Sequence, residues 1–160
     1  MGFSDLDSLL NEEGDVPKKP QKTSRFPEIL VVDDDPAMRK SLGMLFSGRF
    51  VARICATADE GLKTMHDLIC AAVLDVRMKD KDGFWLCSEL RKRYLDLPIV
   101  FYSAYQDAKN PYEIINQFRP FAYIVKDSDP SRLLNAVDMA ASMHSMVLRS
   151  RRLVNKVKKK

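Results

Sequence analysis

The stretch Ile29-Leu30-Val31-Val32-Asp33-Asp34-Asp35-Pro36 decides how the chain is read. Four apolar residues, three of them β-branched, run into three consecutive carboxylates and then a proline. An unbroken apolar run of this length fits a strand covered on both faces, as in a parallel sheet. Such sheets bind ligands outside the carboxyl ends of their strands. Adjacent carboxylates raise the energy of the ionised forms, so the cluster calls for a cation, hydrogen bonds, protonation or open solvent. Asp35 is read as the cap of the next helix, with Pro36 in its first turn. The roles of Asp33 and Asp34 depend on the rest of the chain.

Outward from this stretch two periods alternate. Met38, Leu42, Leu45 and Phe46 recur at helical spacing before Gly48, and residues 50–55 form a second, more amphipathic strand. Thr57 to Glu60 has capping-box spacing and opens a helix expected to bury Leu62, Met65 and Leu68. Residues 71–74 are a short buried strand ending at Asp75, and Gly83 begins a helix through Phe84, Leu86, Leu90 and Tyr94. Residues 99–102 are the fourth strand. Asn110-Pro111-Tyr112-Glu113 opens a short helix that stops near Pro120, residues 121–125 are the fifth strand, and Asp129-Pro130 starts the last helix. Five strands alternating with five helices imply an α/β fold, a parallel sheet with helices on both faces.

The net charge of +4 is not a property of the whole molecule. Residues 149–160 hold seven bases (Arg149, Arg151, Arg152, Lys156, Lys158, Lys159, Lys160) and no acid, which leaves 19 bases against 22 acids elsewhere. Basicity in one tail does not make the domain a nucleic-acid binder; contact with nucleic acid is expected only through that tail, if at all. Residues 1–26 read as a flexible leader whose first fifteen residues carry five acids and no base. Phe3, Leu6, Leu9 and Leu10 would form one face of a short helix capped by Ser4, a docking peptide; an ordinary disordered terminus is the plainer reading. No apolar run approaches the ~20 residues that cross a bilayer, so a cytoplasmic protein with no membrane contact is expected. Cys55, Cys70 and Cys87 lack paired metal-ligand spacing and read as reduced packing residues.

In a parallel sheet each strand delivers its last residue to one edge, so Asp33, Asp34, Asp75, Ser103 and Lys126 converge there. Facing carboxylates make a hard-oxygen site suited to Mg²⁺ with water in its shell. A carboxylate also attacks phosphorus to form an aspartyl phosphate. That transfer needs neutralisation of the equatorial oxygens, which a metal, a lysine and a hydroxyl provide. Asp75 is the candidate nucleophile. Asp34 would bind metal directly, Asp33 directly or through water, while Lys126 pairs with the phosphoryl group and Ser103 donates a hydrogen bond.

These residues resemble the receiver domain of two-component response regulators. The resemblance is carried by Val31-Val32-Asp33-Asp34, Leu74-Asp75-Val76-Arg77-Met78 with Asp82-Gly83, Ser103-Ala104 and Tyr123-Ile124-Val125-Lys126, in family order and spacing over about residues 28–145. It implies a doubly wound, flavodoxin-like sheet of order 2-1-3-4-5. It implies that Asp75 takes a phosphoryl group from a histidine kinase or histidine phosphotransfer protein, with Mg²⁺ held by Asp33, Asp34, Asp75 and the backbone carbonyl of Arg77. It further implies a switch in which Ser103 moves toward the phosphoryl group and Tyr123 turns inward, remodelling the face that a downstream protein binds. Read from the residues alone, Tyr123 is equally a half-buried aromatic on an edge strand.

The chain departs from the family pattern after Lys126, where Asp127 stands in place of proline, and in the charged loop Lys79-Asp80-Lys81, expected to be more mobile. Arg77 and Tyr105 occupy positions that in the family influence dephosphorylation, and their bulk implies a long-lived phosphoryl form. In the last helix Leu133, Val137, Ala140, His144, Val147, Arg151 and Val154 follow 4-3 spacing, and residues 131–157 would span about 40 Å as a helix. Its basic end is a solvated or fraying terminus, a dimerising helix or a basic arm. The expected organisation is a leader over 1–26, a receiver domain over 27–148 and a basic helix extension or tail over 149–160. The expected function is a phosphorylation-controlled binding module rather than an enzyme. The alternatives are a pseudo-receiver scaffold, the N-terminal part of a longer regulator, and a phosphoester hydrolase.

Overall fold

The structure, a computed structural model, describes residues 25–104, 110–126 and 129–159. The acidic leader through residue 24, Tyr105, Asp127 and Lys160 lie outside the described residues. Five parallel strands, β1 (Glu28–Val32), β2 (Val51–Cys55), β3 (Ile69–Leu74), β4 (Ile99–Ser103) and β5 (Ala122–Val125), form one sheet in the order β2-β1-β3-β4-β5. Between and after them come α1 (Pro36–Phe46), α2 (Ala58–Thr64), α3 (Gly83–Arg93), α4 (Pro111–Phe118) and α5 (Ser131–Lys158). The fold is therefore flavodoxin-like and doubly wound, as the resemblance implies, and its parallel sheet is the one expected from the alternation of periods.

The unbroken apolar strands bury both faces. Leu30, Val32, Ala72, Leu74, Ile99 and Phe101 point into a cluster shared with α2, α3 and α4. Their neighbours Ile29, Val31, Ala71, Val73, Val100 and Tyr102 point the other way, against Leu42 and Phe46 of α1 and Leu133, Val137 and Ala140 of α5. Each fully buried side chain of this size stabilises the fold by about 1.5–3 kcal/mol. The helix starts are set by side chains: Asp35, Thr57, Asp82 and Asn110 each accept a backbone N–H of the turn they cap.

Several boundaries differ from the sequence reading. α2 ends at Thr64, with Met65 as its cap, and Leu68 is 67% exposed rather than buried. Its seven residues give the chain only two turns, and a turn through Asp67 and Leu68, closed by the Ile69 N–H on the His66 carbonyl at 3.1 Å, leads into β3. β3 begins at Ile69, because its first residues pair with Glu28 and Ile29 of β1. In the capping box, Glu60 reaches the N–H of Ala56 instead of the cap residue. In the Lys79–Lys81 loop, Lys81 pairs with Asp59 at 2.7 Å and lies 4.4 Å above the Trp85 ring. All three cysteines are buried and free. α5 runs unbroken through residue 148, and its last ten described helical residues are exposed.

Candidate functional site

Asp33 directly follows β1 and Asp75 follows β3, and these strands are neighbours, so their carboxylates meet at the C-terminal edge of the sheet. Asp33, Asp34 and Asp75 each offer an oxygen within 4.8 Å of the others, the one such group of potential metal ligands among the described residues. Asp33 and Asp75 are 1% and 7% exposed, whereas Asp34 stands at the mouth. Burying charge without partners is expensive, and the backbone supplies them. Asp33 accepts the N–H of Asp35 on one oxygen at 2.9 Å and Lys126 Nζ on the other at 2.7 Å. Asp34 accepts the N–H of Lys79 at 3.2 Å, which ties the loop after β3 to the mouth.

Lys126 crosses the site from the end of β5. Its N–H donates to the carbonyl of Ser103 at 2.7 Å, and its ammonium reaches Asp75 at 3.5 Å as well as Asp33. Burial opposes the charged ammonium, but the hydrogen bond and charge of Asp33, reinforced by Asp75, hold its pKa above the ordinary lysine value. The Asp75 carboxyl moves the opposite way from a surface carboxylate. Burial first, then the charge of Asp33, push its pKa up to about 6, against the pull of Lys126. Three carboxylates share one ammonium, and this excess of hard oxygen donors fits a small divalent cation. Ser103 is wholly buried at the end of β4, and Arg77 is exposed in the loop after Asp75. Tyr123, on the edge strand β5, is half-buried with its ring 6.1 Å from that of Phe101. Asp33, Asp34, Asp75, Ser103 and Lys126 thus lie at the ends of their strands on one edge, Tyr123 lies within β5 opposite Phe101, and Tyr105 lies outside the described residues.

Three features escaped the sequence reading. Arg39, from the first turns of α1, donates to the carbonyl of Asp33 at 3.0 Å and fixes the turn that carries both acids. Lys79 contributes its backbone N–H rather than its charge. Gly83 lets α3 approach the C-terminal end of β3: a Cβ there would lie 2.2 Å from the carbonyl oxygen of Asp75. A glycine at the first position of a helix, where most residues do better, is the one sequence signal for this last contact. Next to it Phe84 stacks on Phe118 at 4.6 Å and meets Phe101 edge-on at 5.0 Å, locking α3 and α4 to β4.

The family profile of the response regulator receiver domain matches residues 29–138. A transcriptional regulatory protein, TdiR of Thauera aromatica, is 32% identical over 127 residues, covering 77% of this chain and 55% of that protein. The chain spans about a quarter to about half the length of curated relatives such as TdiR and AtoC of Escherichia coli. Among solved structures, one titled adenylate cyclase from Rhodopirellula baltica superposes with a TM-score of 0.74 at 22% identity, covering 82% of this chain and 98% of that one. The response regulator TrrA of Thermotoga maritima, solved in complex with Mg²⁺-BeF, gives 0.64 at 24% identity, covering 72% and 99%. At these identities the structures speak for the fold alone, and one fold hosts many outputs. With the profile spanning most of the chain and the acidic edge built as described, this protein belongs to the response regulator receiver domain family.

Proposed function

We propose that the chain accepts a phosphoryl group on Asp75 from a histidine kinase or histidine phosphotransfer protein and thereby changes a face that binds a downstream protein. One observation carries the reading: the buried Asp75 carboxylate opens onto two further carboxylates and one ammonium at the sheet edge. An Asp75 oxygen attacks phosphorus in line, the O–P bond forms as the P–N bond of the donor phosphohistidine breaks, and the imidazole leaves. With a pKa near 6 the carboxyl is mostly ionised at neutral pH, as a nucleophile must be. Lys126 is held beside the Asp75 carboxylate, 3.5 Å from it, by its bond to Asp33 and would pair with the phosphoryl group, and Ser103 supplies a hydroxyl donor. Mg²⁺, held by Asp33, Asp34, Asp75 and the backbone carbonyl of Arg77, would neutralise charge on the transferring group when bound.

Ser103 and Tyr123 then serve as the switch, acting on the face of α4, β5 and α5, where Tyr112, Ile115 and Met139 are exposed. The change is a local charge event biasing a two-state surface. Arg77 and Tyr105 slow the hydrolytic water. The chain works in the cytoplasm as a receiver module over 27–148 and turns over no external substrate. Incubation with Mg²⁺ and acetyl phosphate tests this: the intact mass gains one phosphoryl group that hydroxylamine removes, and Asp75→Asn gains none. An unchanged wild-type mass overturns the reading in favour of a constitutive scaffold. A phosphate-loss rate that is fast, and unmoved when Arg77 and Tyr105 become Ala, refutes the hindrance.

A further inference from the structure

Past Asp138 the chain contains no acid: residues 139–160 hold seven bases. On the side of α5 turned away from Leu133, Val137 and Ala140, the side chains of Met139, Met143, Met146, Leu153, Val154 and Val157 are 51–75% exposed. Of the bases, Arg151 pairs with Asp96, whereas no described acid pairs with Arg149, Arg152, Lys156 or Lys158. A helix face that is apolar and basic together fits an occupant that is apolar and acidic. The first fifteen residues of the same chain have that chemistry. Phe3, Leu6, Leu9 and Leu10 stand among Asp5, Asp7, Glu12, Glu13 and Asp15, with no base. We infer that this acidic leader docks within its own chain on the exposed apolar and basic face of α5, covering Met143, Met146 and Leu153.

The point where the leader joins the fold supports an intrachain contact. Phe26 and Pro27, the residues just before β1, line a groove with Ala141, Ser142 and Ser145 of α5. The Pro27 carbonyl is held there by the N–H of Val51 at 2.9 Å, and Arg49 of the same groove pairs with Asp138 at 3.0 Å. The chain therefore enters the domain beside α5, directly before its acid-free half. From Ser145 to Val157 the helix runs about 18 Å, and residues 14–25 can span about 40 Å. The acidic segment thus reaches the whole face, with Lys18, Lys19 and Lys22 left in the connecting stretch. A tether of this length supplies an effective concentration of about a millimolar, so even a weak contact is populated without a second molecule. The docked leader closes this face to outside partners, and the contact does not depend on the chemistry of Asp75.

A nitroxide on S8C of the full chain, read on its methionine methyl signals, tests the inference. The native cysteines are buried, so the label goes to residue 8. At low salt the methyls of Met143 and Met146 are expected to broaden, while that of Met78, in the loop after β3 at the other edge of the sheet, stays sharp. The broadening should be lost in about 0.5 M salt, where the Debye length falls to a few ångströms, and lost equally in D5K/D7K/E12K/E13K and in L6E/L10E, with circular dichroism unchanged. Sharp Met143 and Met146 signals at low salt overturn the inference, as does broadening that survives salt or charge reversal. Broadening that appears equally when spin-labelled chain is mixed with separately isotope-labelled chain places the leader on a second copy and overturns the intrachain contact.

Discussion

At the C-terminal edge of the sheet, Asp33 and Asp75 are largely buried, Lys126 is bonded between them, and the backbone N–H of Asp35 donates to Asp33. At the opposite edge, where the start of β4 meets the second half of α5, the bases stand in water and the ion pair of Arg151 with Asp96 is open to solvent on both sides. The first region concentrates few charges where water cannot screen them, so a protonation or a phosphoryl group there is felt through the fold. The second holds more charge with little local consequence, and acts only at the range of a Debye length. Density of charge does not mark the site; desolvation does.

The sharpest way to break this comparison is Gly83→Ala. A methyl group there meets the Asp75 carbonyl, which cannot swing aside as a side-chain tip can, so a loss of about 4 kcal/mol in urea unfolding is expected. A loss below 1 kcal/mol, with phosphoryl uptake intact, would mean that α3 does not set the strand end. Next comes Lys126→Met, which leaves Asp33 buried with one oxygen unpaired and is expected to remove about 3 kcal/mol. Added Mg²⁺ should restore part of it, measured as a shift in the urea midpoint.

Asp75→Asn should act in the other direction. The folded-state pKa of Asp75 is raised from 3.8 to about 6, so the native state binds the proton more tightly than the unfolded chain. Its contribution to stability is full below the unfolded value and is lost as pH rises through about 6. Replacing it should stabilise the metal-free protein at pH 7 by about 2–3 kcal/mol and flatten its pH dependence between 4 and 6, with no gain below that window. Unfolding in EDTA across pH reads this directly. A variant as pH-dependent as the wild type would place the titrating group elsewhere. The smallest effect belongs to the solvated edge: Arg151→Ala should cost about 0.5 kcal/mol or less, falling toward zero in high salt.

The strands were legible because four-residue apolar runs such as Ile29–Val32 have no other comfortable place than the middle of a covered sheet, and the acids after them because a strand's end points outward. Parallel topology then follows from the alternation of periods, and with it the meeting of Asp33, Asp75 and Lys126. These are matters of order along the chain and of local chemistry. The end of α2 was not legible, because Leu68 fits the helical stripe and only the pairing of Ile69 with Glu28 pulls the chain away from it. Nor was the exposed row Met139, Met143 and Met146 of α5, which lies beside the stripe Leu133, Val137 and Ala140 that packs on the sheet; only the contact with the core says which is covered. Arg39 on the Asp33 carbonyl, the Lys79 N–H on Asp34 and the clearance above Gly83 belong wholly to the tertiary structure. Each depends on distances of a few ångströms between segments that sequence spacing does not constrain.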